Sequence, residues 1–284
     1  MNKQNEKELV KMKYSVLMSV YKNDSPEFLK LALESIYEKQ TRKPDEIVVV
    51  FDGPLTEELL KVLNEFYVGK EEVVFYYPQE VNRGLGEALR IGSEKCTGDY
   101  ILRMDSDDIS DPQRFEKQIA YVEAHPEVDV LGTDIAEFQI TEQEVNKRVR
   151  VCPAKHDDIV KMSKKRNPIN HVTACIKKSA LEKSGGYKTL VFVEDYYLWL
   201  NMIVTGCKFA NINESLVYVR IGNGFESRRA SKEIIKSRKV IVNFMLEHKM
   251  VTTYEAKINM ICVWCVINSP VKIKKFTYDK ILRK

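Results

Sequence analysis

Apolar runs and helical stripes alternate along the first half of this chain. Tyr14 to Val20 reads as a short apolar strand, and Pro26 opens an amphipathic helix through Leu29, Leu33, Ile36 and Tyr37. Glu46 to Phe51 is a β-branched run of the kind buried on both faces of a parallel sheet, and it stops at Asp52-Gly53-Pro54. Thr56 to Phe66 predicts a helix, Val73 to Tyr77 a strand, Leu85 to Lys95 a helix and Tyr100 to Met104 a strand. This order predicts a parallel sheet flanked by helices, with every strand ending on one edge. The pattern changes at Asp111-Pro112, which reads as an N-cap followed by proline at the first helical position. That helix runs to Ala124. Val128 to Phe138 then predicts an antiparallel strand, His171 to Lys177 a strand, Glu194 to Val204 a helix and Leu216 to Arg220 a short strand. Two helical segments follow from Lys232, broken near Thr252 and at Pro270. No repeat or low-complexity linker interrupts the chain.

With 44% apolar and 30% charged residues among 284, the chain has the balance of a soluble globular protein. It is long enough for one large α/β domain with a C-terminal extension, or for two small domains. A net charge of +4 is too small to argue for nucleic acid, and no nucleic-acid partner is expected. The position of the charge says more. Residues 271–284 hold Lys272, Lys274, Lys275, Lys280, Arg283 and Lys284 against Asp279 alone, interleaved with Ile273, Phe276, Tyr278, Ile281 and Leu282. Such a tail suits either an anionic membrane surface or a solvated terminal helix. No apolar run approaches a membrane span, and Met1 to Lys13 is charged rather than signal-like, so the expected location is cytoplasmic. The six cysteines are scattered, as expected of reduced thiols. The one close pair, Cys262 and Cys265, sits in an apolar stretch that favours core packing over zinc.

The densest chemistry lies at Asp105-Ser106-Asp107-Asp108, just past the end of a strand. Three carboxylates within four positions repel one another and need compensation. Mg²⁺ or Mn²⁺, sharing its shell with a substrate phosphate, supplies it, and a strand end is where α/β sheets bind ligands. A solvated helix-entry turn explains Asp111 but not the three acids before it. An EF-hand starting at Asp105 fails at Ile109 and at Ser110, where its turn needs glycine. A phosphatase aspartyl motif puts Ile109 where a hydroxyl belongs.

Three more strand ends meet those acids if the sheet is parallel. Asp52 can accept from a uracil imide N–H or a ribose hydroxyl, and Ser19-Val20-Tyr21 can offer backbone groups and an aromatic face to a base. Asn82-Arg83-Gly84 precedes a helix, so free N–H groups and a guanidinium would suit an anion. It is not the dinucleotide fingerprint, because Leu89 stands where the third glycine belongs. Glu194-Asp195 opens an aromatic, apolar helix, which is either a charged first turn or a source of a general base. His171 and His156 could act similarly, though a lone histidine beside a strand is more often a structural hydrogen-bonder.

Taken together, in order and spacing across roughly residues 14–225, these segments resemble the family 2 glycosyltransferases with the GT-A fold. Gly98-Asp99-Tyr100-Ile101 belongs to the same pattern, and Asn170-His171-Val172-Thr173 with Gly185-Gly186-Tyr187 is similar to the bacterial capsule, exopolysaccharide and O-antigen branch. The resemblance implies a Rossmann-like, mixed but mostly parallel sheet flanked by helices. It divides the chain into an N-terminal extension (1–13), a GT-A domain (14–225) and a basic, membrane-proximal helical extension (226–284). It also implies roles. Val20, Tyr21 and Asp52 would hold the base, Asn82, Arg83 and Gly84 the nucleotide, and Asp105 and Ser106 the ribose. Asp107, with Asp105, would bind Mn²⁺ or Mg²⁺, and Asp195, supported by Glu194, would deprotonate the acceptor. The donor would be a UDP-sugar and the acceptor a lipid-linked saccharide at the inner face of the cell membrane. One departure is that no histidine follows Tyr218-Val219-Arg220, so Arg228 and Arg229 would supply charge to the leaving diphosphate instead. A non-catalytic nucleotide-sugar-binding subunit or sensor is the rival reading. A sugar nucleotidyltransferase would need a Gly-rich loop that Lys22-Asn23-Asp24-Ser25-Pro26 does not offer.

Overall fold

The computed structural model describes residues 12–139, 148–221 and 232–268. Strands β1 (Tyr14–Val20), β2 (Glu46–Phe51), β3 (Val74–Pro78) and β4 (Tyr100–Met104) lie in the order β3-β2-β1-β4, all parallel. Strand alternation divides their side chains between two covers. Val16, Met18, Ile47 and Val49 face α1 (Pro26–Ile36), α2 (Glu57–Tyr67) and α4 (Arg114–Ala124). Leu17, Val48 and Val50 face α3 (Leu85–Lys95) and α7 (Glu194–Val204).

The sheet turns mixed beyond β4. There β8 (Cys175–Lys177), β6 (Val130–Phe138), β9 (Phe209–Arg220) and β5 (Ile109–Ser110) continue it, and β7 (Arg148–Arg150) pairs with β6 off the main path. β6 runs antiparallel to β7 and β8, as expected, but parallel to β9. β5 pairs antiparallel with β9, which pins the acid loop between two strands. Helices α5 (His156–Ser163) and α6 (Lys178–Lys183) complete the cover. Two final helices, α8 (Lys232–Glu247) and α9 (Thr253–Asn268), pack on Tyr196 and Leu200 of α7 through Ile241, Phe244, Met245 and Ala256. Among the described residues, no helix is long and apolar enough to cross a membrane.

Several expectations give way to local hydrogen bonding. His171–Thr173 is a 3₁₀ turn rather than strand, because the Thr173 N–H and hydroxyl both donate to the Asn170 carbonyl. β9 starts at Phe209, not Leu216. Asn211 and Asn213 break its apolar alternation, yet their amides bond the Pro153 and Cys152 carbonyls and hold the strand in place. α4 begins at Arg114, since the Asp111 side chain accepts from the Gln113 N–H and makes a turn before the helix. Gly98 and Asp99 lie at the start of β4, away from the strand ends. A Cβ on Gly98 would sit 2.7 Å from the Ser15 backbone nitrogen, and Asp99 accepts from the Lys13 N–H, so both serve the sheet. Four cysteines are buried and none of the six forms a disulfide, but Cys262 and Cys265 are exposed on α9 rather than packed in a core.

Candidate active site

Parallel strands deliver the predicted residues to one edge. The chain reverses after β2 at Gly53, whose φ of +86° favours glycine, and a Cβ there would lie 2.6 Å from the Asn82 nitrogen. That close approach lets Asp52 hold the following loop. Its carboxylate accepts from the Arg83 N–H (2.8 Å) and the Gly84 N–H (3.1 Å), and the Asn82 side chain donates to its carbonyl. These two N–H groups are therefore already engaged rather than free for an anion, while the Arg83 side chain is exposed. Val20 is fully buried and its carbonyl takes the Asp52 N–H, so it acts as a wall. The Tyr21 N–H donates to Asp24, whose carboxylate also accepts from the Ser106 hydroxyl at 2.7 Å. Burial raises the Asp24 carboxyl, an effect those two donors partly offset.

The acid loop carries its own counter-ion. Arg103 of β4 is only 1% exposed and pairs with Asp105 at 2.5 Å. Burial opposes its charge, but Asp105, Tyr187 and Asp108 outweigh that and hold the guanidinium above its ordinary pKa. One cation does not neutralise the group. Asp107 is exposed, yet the protein packed around it, followed by the charges of Asp105 and Asp24, pushes its carboxyl up to about 6. Asp108 is buried and lies well above the usual carboxylate range through burial, Asp107 and Asp105, while accepting from the Arg220 N–H at 2.9 Å. Arg220, at the end of β9, also donates from Nε to the Asp107 carbonyl and lies over the rings of Phe28 (3.8 Å) and Phe138 (4.6 Å).

α7 brings the second pair of acids. Asp195 Oδ2 accepts from Asn167 at 2.5 Å and Oδ1 from the Tyr196 N–H at 2.6 Å, which fixes the carboxylate at the helix start. Burial, and then the Asp195 charge, pushes Glu194 up to about 7. The chain enters this helix through Phe192, an exposed aromatic held at φ 65°, a conformation costing about 1–3 kcal/mol. Arg103 Nε and Nη1 and Glu194 Oε2 are buried without a hydrogen-bond partner among the described residues. Arg103 acts electrostatically on Glu194, so the site keeps both unused donors and an unused acceptor.

A family model for glycosyl transferase family 2 matches residues 15–185. The chain belongs to glycosyl transferase family 2. It is 36% identical over 267 residues to the amylovoran biosynthesis glycosyltransferase AmsE of Erwinia amylovora, spanning 94% of this chain and 98% of that one. It is 34% identical over 275 residues to the Escherichia coli UDP-Gal:α-D-GlcNAc-diphosphoundecaprenol β-1,3-galactosyltransferase, spanning 96% and 97%. Its fold is similar to that of S. aureus TarS in complex with UDP-GlcNAc, with a TM-score of 0.66 at 15% identity over 93% of this chain and 78% of that one. The mixed sheet with flanking helices is thus GT-A-like, and the protein is a glycosyltransferase.

In this family 2 enzyme the structure gathers Tyr21, Asp52, Asn82, Arg83, Gly84, Asp105, Ser106 and Asp107 along one edge, with Glu194 close enough to feel Arg103 and Asp105. Arg228 and Arg229 lie outside the described residues. Sequence reasoning missed Asp24, Arg103, Asn167 and Arg220. A charged residue inside an otherwise apolar strand was the available signal for Arg103; Asn167 carried none. The two histidines are structural. His171 contacts the Tyr187 hydroxyl and is held neutral by burial and then by Arg103, while His156 Nδ1 accepts from the Phe209 N–H.

Proposed function

We propose that this glycosyltransferase moves a sugar, with inversion, from a UDP-sugar to a hydroxyl of a lipid-linked saccharide during bacterial surface polysaccharide synthesis. One observation carries the reading: Asp195, oriented by two donors, adjoins Glu194, which feels Arg103 and Asp105 of an acid cluster that one buried arginine leaves under-neutralised. The activity that the Escherichia coli relative is named for supports the donor and acceptor class, and the UDP-GlcNAc held by TarS supports the nucleotide.

Tyr21, with Val20 behind it, would face the base, and Asp52 keeps lone pairs for an imide or ribose donor. Asn82, Arg83 and Gly84 would border the nucleotide, and Asp105 and Ser106 the ribose. No group of three or more His, Cys, Asp or Glu among the described residues could by itself hold a metal ion. The oxygen-only, crowded donor set still fits Mg²⁺ or Mn²⁺ completed by diphosphate oxygens. Asp107 and Asp105 would hold the ion, which when bound supplies Lewis-acid neutralisation of the departing charge. Arg220 stands beside Asp107 and would add positive charge there.

Asp195 takes the proton of the acceptor hydroxyl. That oxygen attacks the anomeric carbon as the bond to the diphosphate oxygen breaks and its electron pair leaves with the diphosphate. Inverting an α-linked donor gives a β-glycoside.

Thermal-shift measurements with UDP, GDP, dTDP and CMP, each with and without Mn²⁺, test the site. UDP with Mn²⁺ is expected to stabilise most, and Asp107→Asn to remove the metal-dependent part. A folded protein that responds to none of the four overturns the reading.

A further inference from the structure

The last described helix has an apolar surface that no other described residue covers. From Met260 to Ile267 α9 reads Met-Ile-Cys-Val-Trp-Cys-Val-Ile, and a helix apolar all round is ordinarily buried all round. Its inner side is covered, since Ala256 and Met260 pack on α7 and α8, and Asn259 accepts from Arg238. The outer side is not: Tyr254, Ile258, Ile261 and Trp264 are exposed, the last two at 60% and 59%. Residues 271–284 follow α9 in the sequence and lie outside the described residues; they hold six cations, one anion and five apolar or aromatic side chains.

We infer that α9 lies in the headgroup region of an anionic lipid leaflet. Tyr254, Ile258, Ile261 and Trp264 insert, and residues 271–284 are drawn to the same surface. Three arguments select this occupant. Tryptophan and tyrosine settle where an apolar phase meets a wet one. An apolar helix face and a basic segment together give two membrane signals, each marginal alone. A second copy packed face to face would set two strongly cationic tails against each other, which repels. α9 has 16 residues, too few to span a bilayer, so it lies along the surface.

This deepens the proposed function and depends on it only for why a membrane is within reach. The connection to the site is short. Asn259 donates to the Lys164 carbonyl, Arg238 to the Lys165 carbonyl, and Asn167 of the same loop holds Asp195. The helix seated on lipid and the acceptor's base are thus tied to one loop.

Tryptophan emission tests the inference without any activity assay. The chain has two tryptophans; Trp199 is fully buried, so an environmental change reports Trp264. Vesicles of phosphatidylglycerol mixed with phosphatidylcholine are expected to shift emission to shorter wavelength, and added salt to reverse much of the shift. The double variant Ile258→Ser, Ile261→Ser changes only exposed positions and should lower partitioning by about tenfold or more. No shift with anionic vesicles overturns the inference. An equal shift with phosphatidylcholine alone overturns the anionic assignment, and a shift that needs only higher protein concentration points instead to a second copy. Vesicle binding by a protein that ignores UDP would sink the sugar-transfer reading and leave this surface standing.

Discussion

Asp195→Asn is expected to lower the rate of transfer by roughly 10²–10⁴-fold, the range for removing a general base, while UDP affinity stays near that of the parent. The asymmetry follows from geometry. Asp195 accepts from Asn167 through one oxygen and from the Tyr196 N–H through the other, so the amide keeps the Tyr196 bond through its single oxygen, gives up the Asn167 bond and cannot take a proton. Equal loss of binding and rate would remove the assigned role. Glu194 supplies a companion experiment. Its folded carboxyl is raised to about 7 from an ordinary 4.5, so the neutral form is the favoured one in the fold. Stability from that preference is complete below about 4.5 and is lost as pH rises through about 7. Glu194→Gln should therefore melt higher than the parent at pH 8, with the gain gone at low pH. A variant whose melting tracks the parent across that range would show that Glu194 ionises without penalty.

Arg103→Met is expected to destabilise the fold clearly. Removing one partner of a fully buried ion pair costs about 3–5 kcal/mol; the Asp105 side chain is 38% exposed, so solvent screens part of the charge left behind and a loss of about 2–3 kcal/mol is expected. Here Asp105 stays, together with Asp108, which also draws on the guanidinium. Against a typical total of about 5–15 kcal/mol, the loss is a large share, readable from urea unfolding. Adding Asp105→Asn should return part of it, since the two positions are in contact and do not add independently. A loss below about 1 kcal/mol would mean that solvent, not Arg103, balances the acids.

The parallel half of the fold was legible because its signals are local. β1, β2, α3 and β4 match their expected bounds, each being a run long enough to show a period. β5 and β7 have two and three residues and cannot show one; they exist because β9 and β6 offer partners. The strand-end acids could be read as a cluster, and their need for compensation followed from charge alone. Part of that compensation comes from Arg103, placed by pairing between strands rather than by spacing. Asn167 was invisible for the same reason. It lies 28 positions from Asp195 in a stretch without periodic pattern, and only the packed loop brings them together.

The uneven burial of the six thiols gives the molecule two chemical clocks. Cys96, Cys152, Cys175 and Cys207 are buried, and burial raises each thiol, so an alkylating reagent reaches them only when the core opens. Cys262 and Cys265 stand exposed on α9 and are open to the same reagent without unfolding. The fast phase of such a reaction follows whatever covers the last helix, and the slow phase follows the opening of the core around the sheet.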